Sequence, residues 1–117
     1  LLVCMNKASR SHEHFIENKI LTVNVLGADH QHISNVFASK MSSEERFEYG
    51  RWTELETGAP VLEDALVSFD CEIDDIQEVG THTIFMCRTV AIQQSQHEHS
   101  LVYFNRAYHH VGEAEIA

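Results

Sequence analysis

The sequence predicts one α+β domain, in which short helices lie around an antiparallel sheet or barrel. The chain has 117 residues, enough for a single domain, and 44% of them are hydrophobic, which permits a core. Helix-like patterns are confined to the first half of the chain. The second half consists of alternating strand patterns that are joined by short turns.

The first strands and helix are indicated by simple patterns. A continuous apolar run predicts a buried strand at residues 1–5, and a β-rich segment predicts another at residues 20–26. Between them, Ser9 or Ser11 can cap a helix over residues 12–18. Because the chain opens inside an apolar strand, we expect an N-terminal part of the domain to be missing.

Two more helices are expected before the middle of the chain. Asp29 predicts the start of one, whose apolar residues have i, i+3, i+4 spacing. Ser42 and Ser43, followed by two glutamates, predict the start of the next, and Gly50 can end it. The following segment, residues 53–60, contains the only proline and should be a loop.

The second half predicts three strands. Residues 67–74 alternate, which places Val67, Phe69, Cys71 and Ile73 inward and leaves Ser68, Asp70, Glu72 and Asp74 on a wet face. After a turn at residues 79–82, a returning strand over residues 83–93 has one face made of Ile84, Met86, Val90 and Ile92. A polar turn at residues 95–100 precedes a last strand at residues 101–104.

Composition excludes several classes of function. The net charge is −10 and only eight residues are Lys or Arg, which argues against nucleic acid and anionic membranes as partners. No apolar run approaches the roughly 20 residues of a membrane helix, and no signal segment opens the chain. Three cysteines without a CxxC motif suit a reducing, cytoplasmic setting.

The polar segment at residues 6–11, Asn-Lys-Ala-Ser-Arg-Ser, carries two cations and two hydroxyls at a predicted helix start. These groups are suited to holding a phosphate. From the spacing alone, a solvated loop with a capping serine is the favoured interpretation, because capping serines are common. No glycine-rich fingerprint supports a P-loop or a Rossmann site.

Nine histidines raise the possibility of a metal site, and four pairs of them are close in sequence. Few carboxylates or thiols lie near these pairs, so we expect surface histidines and no metal. His82 differs because it lies in a tight turn beside Gly80. It can hydrogen-bond a ligand or stand in solvent.

The tail at residues 103–110 combines aromatic rings with Arg106. Aromatic faces can stack on a nicotinamide or adenine, and an arginine can bind a phosphate. An edge strand whose aromatics belong to the core is an equal alternative. No nucleophile–base pair is evident, so no catalytic side chain is predicted.

Together and in order, four stretches resemble the flavin reductase-like family, most closely the reductase components of 4-hydroxyphenylacetate 3-monooxygenases. They are LLVCMNKASRSHEHF, ILTVNVLGADHQHISNVFASKMSSEERF, PVLEDALVSFDCEIDDIQEVGTHTIFMCRTVAI and LVYFNRAYHHV. The resemblance covers nearly all of residues 1–117. It implies an FMN-binding split barrel, an antiparallel barrel with short peripheral helices that is truncated at its N-terminus here, and a homodimer.

The resemblance also implies which residues bind the cofactors. Flavin contacts are expected from Cys4, Met5 and Asn6, largely through the backbone, from Arg10 and Ser11 at the phosphate, and from Val36 and Phe37. The turn at residues 80–82 matches a family Gly-Asp-His with Thr81 in place of Asp, so His82 faces the nicotinamide. The remaining dinucleotide contacts are expected from Tyr103, Phe104, Asn105, Arg106 and Tyr108.

The function that this resemblance implies is reduction of FMN or FAD by NADH or NADPH. A separate aromatic-ring monooxygenase receives the reduced flavin. The alternative is a flavin-binding split-barrel protein without reductase activity, which the missing segment favours. A histidine-rich metal-binding module is a weaker third possibility.

Overall fold

The computed structural model describes residues 1–115, which form eight strands, three short helices and one 3-10 turn. The strands are β1 (Leu2–Asn6), β2 (Ile20–Val25), β3 (Trp52–Thr53), β4 (Val61–Leu62), β5 (Val67–Val79), β6 (His82–Gln94), β7 (Ser100–Phe104) and β8 (Ala107–Val111). The helices are α1 (His12–Asn18), α2 (Gln31–Phe37) and α3 (Ser43–Arg46), with the 3-10 turn at Ala28–His30 just before α2.

The strands form one four-stranded sheet and two two-stranded sheets. The large sheet has the order β1-β6-β5-β2, and the small ones pair β3 with β4 and β7 with β8. β1 is antiparallel to β6, and β7 is antiparallel to β8. The predicted α+β class with antiparallel pairing is confirmed. Over residues 1–115 the strands do not close into a barrel.

The chain divides into two compact units, each with its own apolar cluster. The first unit comprises Leu1–Val23, Glu54–Val61 and Phe69–Ile92, and its buried cluster is Leu21, Cys71, Ile73, Phe85 and Cys87. The second comprises Asn24–Thr53, Leu62–Ser68 and Gln93–Ala117, and its buried cluster is Ile33, Leu62 and Ala65.

The predicted helices are present, but two of their boundaries differ. Ser42 caps α3 as predicted, since its hydroxyl accepts the Glu45 N–H at 3.2 Å. Asp29 does not cap α2, because it lies inside the preceding 3-10 turn, which begins after Gly27. Gly50, at φ +82°, lies beyond the end of α3 rather than at it.

The wet face predicted for β5 is wrong at two positions. Ser68 and Asp70 are 1% and 0% exposed, because each has polar partners inside the fold. The Ser68 hydroxyl donates to Asn24 Oδ1 at 2.8 Å, and Asp70 accepts four hydrogen bonds. β5 is also longer than predicted, and β6 buries Thr83, Phe85 and Cys87.

The tail holds one more strand than the sequence predicted, because β8 returns along β7. A two-residue turn joins them, with Asn105 and Arg106 at φ +51° and +60°. This turn has no glycine, which is the usual sequence signal for such a hairpin, so the sequence pattern did not predict β8. In the described part of the chain, no helix has the length and apolar character to span a membrane.

Candidate functional site

In the first unit, β1 is an edge strand of the sheet that the described residues form, because it stands at the end of the strand order. Leu1 and Cys87 exchange both backbone hydrogen bonds, and the Lys7 N–H donates to the Thr81 carbonyl at 2.9 Å. Antiparallel pairing alternates, so the backbone groups of Cys4 and Asn6 point away from β6. These two residues can therefore bind a flat, polar ring edge through their backbone.

Met5 is placed differently from its neighbours. It lies opposite Thr83 in the register, at a position where the backbone pairs with β6, and its side chain packs against the first cluster. Of the three predicted β1 residues, Cys4 and Asn6 are exposed and Met5 is partly buried. The backbone of Cys4 and Asn6 is thus directed away from β6, whereas that of Met5 is not, and flavin contact at all three residues stays a prediction.

The loop after β1 projects the predicted phosphate-binding residues. Asn6 Oδ1 accepts the Ala8 N–H at 2.9 Å, and the Ser9 N–H donates to the Asn6 carbonyl at 3.0 Å, which fixes the turn. Arg10 is exposed, and Ser11 occupies the cap position of α1 without using its hydroxyl as a cap. The Ser11 hydroxyl is thereby not committed to the helix end.

His82 lies beside this loop, since it is directly opposite Asn6 in the β1–β6 register. Its Nδ1 is 2.9 Å from the Thr81 hydroxyl. When that hydroxyl donates, the ring proton sits on Nε2, which makes Nε2 a donor. Cys4, Met5, Asn6, Arg10, Ser11 and His82 therefore all lie in the first unit.

The other predicted flavin residues, Val36 and Phe37, lie at the end of α2 in the second unit. Val36 is 9% exposed and belongs to the core. Phe37 packs against Phe47 and Trp52, with ring centroids 5.2 and 5.4 Å away. Their side chains are occupied by packing, so a ligand contact here would have to use the helix backbone. Their role stays a prediction.

The β7–β8 hairpin, also in the second unit, carries the remaining predicted dinucleotide residues. Tyr103 and Phe104 are 64% and 69% exposed. Tyr103 pairs with Tyr108 across the strands, with ring centroids 5.1 Å apart. The Tyr108 hydroxyl lies 2.9 Å from both Ser34 Oγ and Asn35 Oδ1, which ties the hairpin to α2.

Sequence reasoning missed a polar cluster in the second unit. Asp29, His30 and His97 have ligand-type atoms within 4.8 Å of one another, and Asp64 lies 3.2 Å from His30 Nε2. Burial acts to raise the pKa of Asp64, but its hydrogen bond with His30 and the nearby histidines outweigh burial and hold the pKa below its usual value. The early, middle and late residues of this cluster are far apart in sequence, so no local sequence pattern could predict that they meet.

A cavity of about 520 Å³ adjoins this cluster. It is lined by Asp29, His30, His32, Ile33, Gly50, Arg51, Leu62, Glu63 and Asp64. None of the residues predicted to bind flavin or NADH is among them.

The chain is similar to known flavin reductases. The family described as "Flavin reductase like domain" matches residues 1–112. The FMN reductase (NADH) RutF of Pantoea ananatis is 47% identical over 109 residues, which are 93% of this chain and 57% of that protein. The chain thus spans little more than half of this relative's length.

Solved structures have the same fold. One from Haemophilus somnus 129pt, assigned as a flavin reductase, is 53% identical with a TM-score of 0.92, covering 94% of this chain and 70% of the other. BorF, the flavin reductase component of a bacterial two-component tryptophan halogenase, is 27% identical with a TM-score of 0.86, covering 97% and 72%.

Proposed function

The chain belongs to the flavin reductase-like domain family, and from that premise we propose that it is an NADH-dependent flavin reductase. The observation that carries the proposal is the continuous surface of the first unit. There the outward backbone of Cys4 and Asn6 leads directly into the loop with Arg10 and Ser11. The name of the Pantoea relative favours FMN as the flavin and NADH as the reductant over FAD and NADPH.

The donor set fits a flavin phosphate and ring. An arginine and an uncommitted serine hydroxyl supply charged and neutral hydrogen bonds to phosphate oxygens. The backbone edge supplies the N–H groups of Cys4 and Asn6 and the Cys4 carbonyl, which match acceptors and donors of a flavin's polar edge, whereas the Asn6 carbonyl accepts the Ser9 N–H. The proposed phosphate contact and the proposed ring contact therefore lie a few residues apart in the chain.

When both are bound, the nicotinamide and the flavin supply the chemistry, which is passage of a hydride with its two electrons from the first to the second. The residues of the chain bind and orient the two rings. His82 is proposed to donate from Nε2 to the nicotinamide side. Tyr103, Phe104, Asn105, Arg106 and Tyr108 are proposed to hold the rest of the dinucleotide.

The reduced flavin is proposed to pass to a separate oxygenase component. BorF is named as the flavin reductase component of another two-component system, a tryptophan halogenase. An aromatic-ring monooxygenase, of the kind that hydroxylates 4-hydroxyphenylacetate in aromatic catabolism, is the partner that we propose here. A cytoplasmic setting suits the three free cysteines, of which Cys87 has its pKa raised by burial.

A homodimer is also proposed, because one face of the β7–β8 hairpin carries three exposed apolar side chains beside Ser100 and His109. Val102, Phe104 and Val111 alternate onto this face and are 39%, 69% and 54% exposed. Exposed apolar residues that share a face are typical of an association surface.

The test combines an FMN titration with NADH oxidation in the presence of FMN. We expect Arg10→Ala to weaken FMN binding by about 1–3 kcal/mol, the scale of a charged hydrogen bond. Lys7→Ala is the matched control, because it removes a cation of the same loop that pairs with Glu78 at 3.6 Å. FMN binding without NADH oxidation would support the alternative, a flavin-binding split-barrel protein without reductase activity.

A further inference from the structure

The turn between β6 and β7 is attached by the Ser95 N–H, which donates to the Leu66 carbonyl at 3.1 Å, and by the side chain of His97. His97 Nε2 lies 2.7 Å from the Asp64 carbonyl oxygen, which can only accept, so Nε2 donates. Its Nδ1 lies 3.5 Å from Asp29 Oδ1, and the side chain is 22% exposed. One ring therefore bridges two segments of the second unit that are distant in sequence.

Two glycines allow this turn to lie close to its neighbours. A Cβ at Gly27 would be 2.8 Å from His97 Nδ1, and a Cβ at Gly112 would be 2.4 Å from the Glu98 carbonyl oxygen. Both distances are shorter than real Cβ contacts. A side chain at either position would displace the turn.

The start of the β7–β8 hairpin is fixed through the same turn. The Ala28 N–H donates to the His99 carbonyl, and the Leu101 N–H donates to the Leu26 carbonyl, both at 3.0 Å. These two bonds lie on either side of the point where β7 begins. Movement of His97 would therefore be transmitted to the hairpin.

Both ring nitrogens of His30 have hydrogen-bond partners. Its Nδ1 accepts the Gly27 N–H at 2.9 Å, so its proton is on Nε2, which faces Asp64. Neutral His97, which donates from Nε2, instead has its Nδ1 lone pair turned toward Asp29. The Nδ1 lone pair of neutral His97 and the Asp29 carboxylate are both acceptors, so no hydrogen bond links them while His97 is neutral.

We propose that His97 is a positioning residue for the β7–β8 hairpin and that its protonation strengthens the attachment of the hairpin. The groups that face it are Asp29, His30 and Asp64, and His32, Arg51 and Glu63 line the adjoining cavity. The proposal rests on the proposed function in one respect, that the hairpin binds NADH. On that basis, protonated His97 lowers the KM for NADH without touching the ligand.

The test is amide hydrogen exchange at Ala28 and Leu101, corrected for intrinsic rates, at about pH 6 and about pH 8, where imidazoles change charge. Wild-type protein is expected to be better protected at the lower pH. His97→Ala is expected to exchange about 5- to 10-fold faster at both pH values, the effect of one lost hydrogen bond. His97→Gln retains a neutral donor for Asp64, so it loses only the gain at low pH.

The KM for NADH is expected to rise wherever amide protection falls, across the variants and between the two pH values, with kcat unchanged. Gly27→Ala provides a second route, since it displaces the ring while leaving His97 in the chain. His14→Gln, an exposed histidine of α1, is the matched control and is expected to keep the wild-type response.

Three results would overturn the proposal. The first is a pH response in His97→Gln equal to that of wild type, and the second is unchanged protection in both His97→Ala and Gly27→Ala. The third is an increase in protection when Zn²⁺ alone is added to wild type, with no such increase in His97→Gln. If the exchange results hold while wild-type protein oxidises no NADH, the proposed function fails and the role of His97 in attaching the hairpin stands.

Discussion

The two hairpins of this protein are held by different forces. β5–β6 has strands of 13 residues each, and it buries Cys71, Ile73, Phe85 and Cys87. β7–β8 has strands of five residues, none of which is fully buried. Polar contacts attach the shorter hairpin, at Leu101 to Leu26 and at Tyr108 to α2. Mutations in β5–β6 should therefore lower the stability of the whole fold, whereas mutations in β7–β8 should weaken only the attachment of that hairpin.

The largest effect is expected for Phe85→Ala. Phe85 is 0% exposed and packs against Phe15 and His12, with ring centroids 6.3 and 6.1 Å away. Loss of this ring leaves a cavity, and we expect unfolding free energy to fall by about 3–5 kcal/mol in urea denaturation. The matched control is Phe104→Ala in the other hairpin, at a residue 69% exposed, with an effect of about 0.5 kcal/mol or less. Similar losses in both variants would contradict the comparison.

Asp70 refines the comparison, because it is a buried, hydrogen-bonded carboxylate in the hairpin that apolar packing otherwise stabilises. Its carboxylate accepts from the Glu56 and Thr57 N–H groups and the Thr57 and Thr22 hydroxyls. Burial acts to raise its pKa, but these bonds outweigh burial, so the pKa lies below its usual value. We expect Asp70→Asn to cost about 1–3 kcal/mol at neutral pH.

The pH dependence of that cost has a definite sign. Because the folded-state pKa is depressed, the stabilisation is complete above the unfolded pKa, roughly pH 4, and is lost as pH falls through the folded value. The difference between wild type and Asp70→Asn should be constant from about pH 8 to pH 5 and shrink below about pH 4. Denaturation at a series of pH values measures this. A difference that grows with acid would show that other groups dominate.

Sequence patterns predicted the strands and helices better than they predicted burial. Alternation shows which residues share a face, but it cannot show that Asn24 and Thr57 provide buried hydrogen-bond partners for Ser68 and Asp70. The candidate residues of β1 and its loop are contiguous in the chain, so the sequence alone predicts that they lie together, and their role stays a prediction. The cluster of His97 with Asp29 could not, since a turn late in the chain meets an early one only through the fold.

In the shorter hairpin, Tyr108→Phe tests the polar attachment to α2. The substitution removes the hydroxyl that bonds Ser34 and Asn35 and keeps the ring. One neutral hydrogen bond contributes about 0.5–1.5 kcal/mol, so we expect the KM for NADH to rise about 3- to 10-fold while FMN affinity stays unchanged. Tyr49→Phe is the control, since it removes the hydroxyl of a tyrosine that is 41% exposed and is not among the proposed binding residues. Equal losses of NADH and FMN affinity would indicate a general structural role for Tyr108.

The smallest effect concerns backbone strain at the two hairpin turns. Arg106 has φ +60°, a conformation that costs a non-glycine residue about 1 kcal/mol, whereas Gly80 has φ +58° and open space around its Cβ position. Arg106→Gly should therefore raise stability by about 0.5 kcal/mol, because the greater freedom of glycine in the unfolded chain offsets part of the relief. Gly80→Ala introduces the same strain in the other hairpin and should lower stability by a similar amount. If Arg106 binds the dinucleotide, Arg106→Gly should at the same time raise the KM for NADH, so stability and affinity change in opposite senses. A variant that gains stability and keeps its KM would show that Arg106 takes no part in binding, and that its strained backbone has no functional explanation.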